Sequence, residues 1–84
     1  MEEQLNGNRA THAFKAAKKL RMRIKPRMSQ AKLARAADVS PDTLRKVEGG
    51  DAVTESIAIA IFDAVNKALG GELFYEKEVR VVRP

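Results

Sequence analysis

Lysine and arginine are the most abundant residues in this chain that could bind a charged partner. Its 84 residues include 16 Lys and Arg against 11 Asp and Glu, which gives a formal net charge of +5. Half of these cations lie between residues 9 and 27, a stretch without any acid: Arg9, Lys15, Lys18, Lys19, Arg21, Arg23, Lys25 and Arg27. Taken alone, such a run indicates a solvated basic helix, and the competing interpretation is a surface that attracts phosphate.

The residue types that enzymes and metal sites use are scarce. The chain has no Cys, and His12 is its single histidine. It has no glycine-rich phosphate loop and no carboxylate pair beside a plausible pocket. We therefore expect no enzymatic activity, no metal or cofactor, and no small-molecule ligand. No apolar run approaches transmembrane length and no signal-peptide pattern opens the chain, so the sequence predicts a cytoplasmic protein away from membranes.

Residues 29–48 predict two short helices joined by a tight turn. Ser29 and Ser40 are good N-caps, and Pro41 follows at the first helical position, where its missing N–H costs nothing. Leu44 and Val47 form a narrow apolar stripe on the second helix. A short helix with so few apolar residues and so many long polar ones is suited to presenting those side chains to a partner.

This segment resembles the Cro/repressor (Xre-type) helix-turn-helix family, whose usual form is SQ-x-x-LA-x-x-x-G-VS-x-x-T-hydrophobic-x-x-hydrophobic-E-x-G. With its flanking helices the resemblance covers roughly residues 12–70. Three departures are Asp38 in place of the turn glycine, Asp51 in place of a basic residue after the second helix, and a longer segment at residues 51–56. The residues that match are Ser29, Gln30, Leu33, Ala34, Ala37, Val39, Ser40, Thr43, Leu44, Val47, Glu48 and Gly50.

The resemblance implies that residues 40–48 form a DNA-reading helix, and beside such a helix the acid-free run favours phosphate binding. By residue-wise resemblance, base reading falls on Pro41, Asp42 and Lys46, with Thr43 and Arg45 nearby. Lys46 suits guanine O6 and N7, whereas Asp42 either accepts from a cytosine amino group or holds Arg45 or Lys46 in place.

Phosphate binding is expected at the start of the Ser29 helix, where backbone N–H groups and the helix dipole favour an anion. Glu48 is expected to pair internally, with Arg35 as the suggested partner. The residues assigned to phosphate are Ser29, Gln30, Lys32, Arg35, Arg23, Lys25 and Arg27.

The predicted fold is mainly α, a four-helix repressor-like helix-turn-helix domain with a C-terminal β-strand. Residues 1–8 are expected to form a flexible tail, residues 9–70 the DNA-binding domain, and residues 71–84 a dimerisation strand. The first helix is predicted at residues 11–23, and the fourth at residues 54–69 with Thr54 as its cap.

The C-terminal strand is predicted from the alternation of apolar residues after Gly71, and nothing else in the chain reads as its partner. A hairpin that turns at Glu76, Lys77 and Glu78 is possible, but antiparallel pairing with a second copy is simpler. Some small phage Cro proteins dimerise in this way, so the resemblance supports it. The predicted dimer interface comprises Ile59, Phe62, Leu73, Phe74, Tyr75, Val79 and Val81.

The sequence thus predicts a transcriptional regulator, repressor or activator, that binds a palindromic operator in double-stranded DNA as a homodimer. It resembles the small Cro-like and controller-type regulators of phages, mobile elements and restriction–modification systems, which implies a bacterial or phage protein associated with the nucleoid. The alternative is a protein-interaction module, such as an antitoxin or the partner of an antiactivator, for which DNA binding is secondary.

Overall fold

The computed structural model describes residues 9–82, and these are mainly helical. The predictions for residues 1–8 and for the last two residues lie outside this range. Within it, five helices accompany a two-stranded antiparallel sheet. In chain order the elements are β1 His12–Ala13, α1 Ala17–Arg21, α2 Gln30–Ala37, α3 Pro41–Glu48, α4 Glu55–Ala68, α5 Tyr75–Glu78 and β2 Arg80–Val81.

The three longest helices confirm the sequence predictions, because each begins at a local signal. Ser29, Ser40 and Thr54 are the N-caps of α2, α3 and α4, and each side chain accepts a hydrogen bond from the backbone N–H three residues later. Gly70 and Gly71 follow α4 with φ angles of 103° and 81°, a left-handed backbone that stops the helix.

The first helix was predicted too long. It spans Ala17–Arg21 rather than residues 11–23, because the chain before it is extended. His12 exchanges two backbone hydrogen bonds with Val53, N to O at 2.9 Å and 2.8 Å, and Phe14 is fully buried. Pairing and burial against distant parts of the chain therefore override the helix propensity of this alanine-rich stretch.

The prediction of a continuous C-terminal strand was also wrong. Residues Tyr75–Glu78 form the short helix α5, which also excludes a hairpin turn at residues 76–78. Tyr75 packs edge-on against the ring of Phe62, with the ring centroids 5.3 Å apart. Val79 is buried, so one helical turn is what brings both side chains onto the core.

The strand that remains has a partner within its own chain. Strand β2 pairs antiparallel with β1, in a register that places Val81 opposite His12 and Arg80 opposite Ala13. This corrects the expectation of an unpaired strand. The partner escaped prediction because residues 12 and 13 lie in the stretch read as helix.

The core lies where α4 packs against α1 and α2, with α3 held against α1 and α2. Phe14 lies 5.9 Å from Phe62 between ring centroids and links the segment before α1 to α4. The largest fully buried side chains are Phe14, Leu33, Leu44, Val47, Ile61 and Val65. This core holds α3 by one face and leaves the other face exposed.

Candidate nucleic-acid interface

The turn between α2 and α3 fixes the start of α3. Asp38 adopts a left-handed conformation with φ 59°, and the N–H of Val39 donates to the carbonyl of Ala34 at 3.0 Å. Asp is among the residues that tolerate this conformation, which accounts for its presence where the resembled family has glycine. Ser40 then caps α3 by accepting the N–H of Thr43 at 3.1 Å.

Helix α3 presents four of its five predicted base-reading residues to solvent. Leu44 and Val47 are fully buried on the opposite face. The fifth residue, Thr43, is half-buried, and its hydroxyl oxygen accepts a hydrogen bond from Ser40 at 2.9 Å. Thr43 therefore belongs to the capping structure, and the exposed set is Pro41, Asp42, Arg45 and Lys46.

The charged residues of this exposed face are not equivalent. Asp42 and Arg45, three positions apart, form a salt bridge. Lys46 forms none with any residue in the range 9–82. Pro41 has no N–H and offers only apolar contact. The lysine is therefore the cation of α3 whose charge is least compensated within its own chain.

Glu48 is the centre of a hydrogen-bond network at the end of α3. Its carboxylate accepts from Arg21 Nε at 2.6 Å, from Arg21 Nη2 at 3.1 Å and from Gln30 Nε2 at 2.8 Å. Arg21 also donates to the carbonyl of Met28 at 3.0 Å. The side chain of Glu48 is 3% exposed and that of Arg21 is 13% exposed, so this is a largely buried, bidentate pair.

This network corrects the suggested pairing of Glu48 with Arg35, which is exposed. Spacing along the sequence could not choose between the many cations around it. The network connects the end of α1, the start of α2 and the end of α3, so it fixes the orientation of α3. It also engages the amide of Gln30, one of the predicted phosphate ligands.

The remaining predicted phosphate ligands are exposed. Arg35 lies in the last turn of α2, and the others precede that helix or lie in its first turn. Ser29 caps that helix by accepting the N–H of Lys32 at 3.1 Å. No cation of this group forms a salt bridge with a residue that the structure describes. Ile24 is buried within the segment before α2 and anchors it. The exposed cations of the group are Arg23, Lys25, Arg27, Lys32 and Arg35.

The loop that leaves α3 contains Asp51 and the segment that connects α3 to α4. Gly50 has φ 101°, and the N–H of Asp51 donates to the carbonyl of Lys46 at 2.9 Å, which leaves the Asp51 side chain exposed. The longer segment after it carries Val53, which pairs with His12 and is buried. The additional length therefore lets the loop reach β1.

The predicted dimer residues separate into three groups. Phe62 and Val79 are buried in the chain's own core and cannot contact a second subunit in this fold. Leu73 and Tyr75 are half-buried and pack against that core. Ile59, Phe74 and Val81 are exposed, at 39%, 58% and 58% of their surface.

Two other kinds of feature are absent from residues 9–82. No helix there is long and apolar enough to cross a membrane. The same residues contain no group of three or more His, Cys, Asp or Glu side chains placed to hold a metal ion.

Comparison of the chain with protein-family models, curated proteins and solved structures found no significant match.

Proposed function

We propose that this protein is a transcriptional regulator that binds a specific sequence in double-stranded DNA through the exposed face of α3. The observation that carries the proposal is the way this helix is held. Two buried residues, Leu44 and Val47, fix one face, and Glu48 ties its end to α1 and α2. The face that remains offers Asp42, Arg45 and Lys46, side chains whose donors and acceptors match base edges in the major groove.

The two eight-residue helices α2 and α3 would then act as a helix-turn-helix. In this arrangement α3 enters the major groove while the start of α2 meets the backbone. The exposed cations before α2 and in its first turn suit contact with the backbone, because most of the affinity for DNA comes from phosphates. Lys46 would read a guanine through its two acceptors, O6 and N7.

We further propose that the protein binds a palindromic operator as a homodimer. Two copies related by a two-fold axis would place their α3 helices in successive major grooves, about 34 Å apart. Strand β2 supports this proposal, because its pairing with β1 uses only one of its edges within the described residues. Val81 on β2 and Phe74 at the start of α5 are exposed apolar side chains. The sign of regulation, repression or activation, would depend on where the operator lies relative to a promoter.

The test of this function is selection of bound sequences from random duplex DNA by the full-length chain. A regulator should select one palindrome, bind it far more tightly than a scrambled duplex, and lose affinity steeply as salt rises. Equal, weak binding to every duplex would exclude sequence-specific recognition. Capture of one stoichiometric protein partner together with the absence of a selected sequence would instead support a protein-interaction module.

A further inference from the structure

Asp42 is an acid on the surface that would face DNA. Its side chain is 72% exposed in the first turn of α3, beside Lys46. A carboxylate there repels phosphate, so on electrostatic grounds alone it weakens binding to any duplex. Its favourable interaction with the dipole at the helix start explains why it suits the fold, but not why it lies among the base-reading residues.

The salt bridge between Asp42 and Arg45 indicates a second role for Asp42. Arg45 lies three positions further along α3, on the same side of the helix, and its side chain is 66% exposed. A guanidinium has five N–H donors in a fixed plane. A carboxylate can occupy two of them and leave donors that point outwards, as bidentate recognition of guanine requires. An arginine held in this way also loses less rotamer freedom on binding.

We propose that Asp42 is a positioning residue that holds Arg45 in place to read a guanine, and so determines specificity more than affinity. This inference rests on the proposed function. In free solution an exposed ion pair of this kind contributes little. At a protein–DNA interface, where the effective dielectric constant is lower than in bulk water, the same pair is stronger. Removal of Asp42 should therefore raise affinity for unrelated DNA and reduce discrimination at the base that Arg45 reads.

Asp51 provides a matched control. It is also an exposed acid next to α3, but it forms no salt bridge with any residue from 9 to 82. Its removal relieves repulsion of phosphate without releasing an arginine. Affinity for cognate and unrelated DNA should therefore rise together, and the ratio between them should stay the same.

The experiment compares the full-length wild-type chain with Asp42→Ala, Asp51→Ala, Arg45→Ala and the double variant Asp42→Ala/Arg45→Ala. Each is titrated with the selected palindrome and with a scrambled duplex at several salt concentrations. We expect the ratio of the two affinities to fall by about tenfold in Asp42→Ala and in Arg45→Ala, and no further in the double variant. Asp51→Ala should keep the wild-type ratio.

Two results would overturn the inference. One is an Asp42→Ala ratio equal to that of Asp51→Ala, and the other is an equal further loss from Asp42→Ala in the Arg45→Ala background. Circular dichroism checks that each variant is folded, and Asp42→Ser, which keeps a residue suited to the first turn, replaces any alanine variant that unfolds. If the wild-type chain prefers no duplex, the proposed function fails. If it is specific but Asp42 and Asp51 behave alike, only the role of Asp42 fails.

Discussion

The carboxylate of Glu48 accepts two hydrogen bonds from the guanidinium of Arg21, which lies 27 residues earlier in the sequence, and this pair joins α3 to α1. Gln30 adds a third donor to the same carboxylate. The orientation of α3 is thus set by polar contacts at its end as well as by the apolar stripe beneath it.

Replacing Arg21 by Ala should destabilise the fold by about 3 kcal/mol, because it leaves the buried charge of Glu48 without its ionic partner. We expect a value at the lower end of the range for broken buried pairs, since Gln30 still donates to the carboxylate. Urea unfolding measures the loss. The control is Arg23→Ala, an exposed cation two residues away, which should change stability by less than about 0.5 kcal/mol. Equal effects of the two variants would show that the Glu48 network contributes nothing beyond surface charge.

Lys46→Ala should weaken binding to the selected operator by about 1–3 kcal/mol and relax the preference at one base pair. The substitution removes the cation of α3 whose charge is least compensated within its own chain. Quantitative titration together with a repeated selection measures both effects. Lys67→Ala, an exposed lysine near the end of α4, is the control and should leave the selected sequence unchanged. An unaltered selection by Lys46→Ala would mean that another surface reads the DNA.

Tyr75→Phe should stabilise the protein by about 1 kcal/mol at pH 7, because the wild-type hydroxyl is buried without a hydrogen-bond partner among the described residues. The phenylalanine ring keeps the edge-on contact with Phe62. Thermal or urea unfolding measures the difference. A less stable Tyr75→Phe protein would show that the hydroxyl does have a partner in solution.

Tyr75→Phe should also change how the stability of the fold depends on pH in the alkaline range. Burial raises the pKa of Tyr75 above its ordinary value of 10.0, and the nearby carboxylates of Glu55 and Asp63 raise it further. The un-ionised phenol is therefore favoured in the folded state. The contribution of this preference to the free energy of unfolding is complete below pH 10 and is lost as the pH rises through the folded-state pKa of Tyr75. The stability advantage of Tyr75→Phe should accordingly widen above pH 10, and a constant difference from pH 7 to 11 would contradict this.

Val81→Lys should shift the protein towards monomers without unfolding it, because Val81 is exposed on β2 and a charge there disfavours pairing between strand edges. Light scattering coupled to size-exclusion chromatography measures the mass at several concentrations. Met22→Lys, which changes another exposed apolar residue, is the control and should retain the wild-type mass. Monomers from Ile59→Lys but not from Val81→Lys would place the interface on α4. Deleting residues 72–84 would not serve as well, since it removes Val79 and Tyr75 from the core.

The helices that the sequence predicted are those whose start and end are marked locally. Ser29, Ser40 and Thr54 each precede an apolar periodicity of helical spacing, so the cap and the pattern agree. The N-cap and the apolar periodicity of α3 together also predicted which face of this helix is exposed. In both cases the decisive interactions are separated by three or four residues, a range over which sequence patterns are informative.

The elements that escaped prediction depend on contacts between distant residues. His12 and Ala13 are extended because Val53 and β2 pair with them, and nothing within a few residues indicates this. The helix that begins at Tyr75 depends on the packing of the Tyr75 ring against the distant ring of Phe62. The pairing of Glu48 with Arg21 was missed for the same reason, because it depends on how α1 packs against α3.

The pairing of His12 with Val81 has a consequence for how the protein is made. The partners are 69 residues apart (81 − 12), so nearly the whole described chain is enclosed between them. During translation β1 emerges well before β2, and closing a loop of this length is slow compared with forming a local helix. The helices can form on the ribosome, and His12 can pair with Val53, but β1 cannot pair with β2 until all the residues between them have been synthesised.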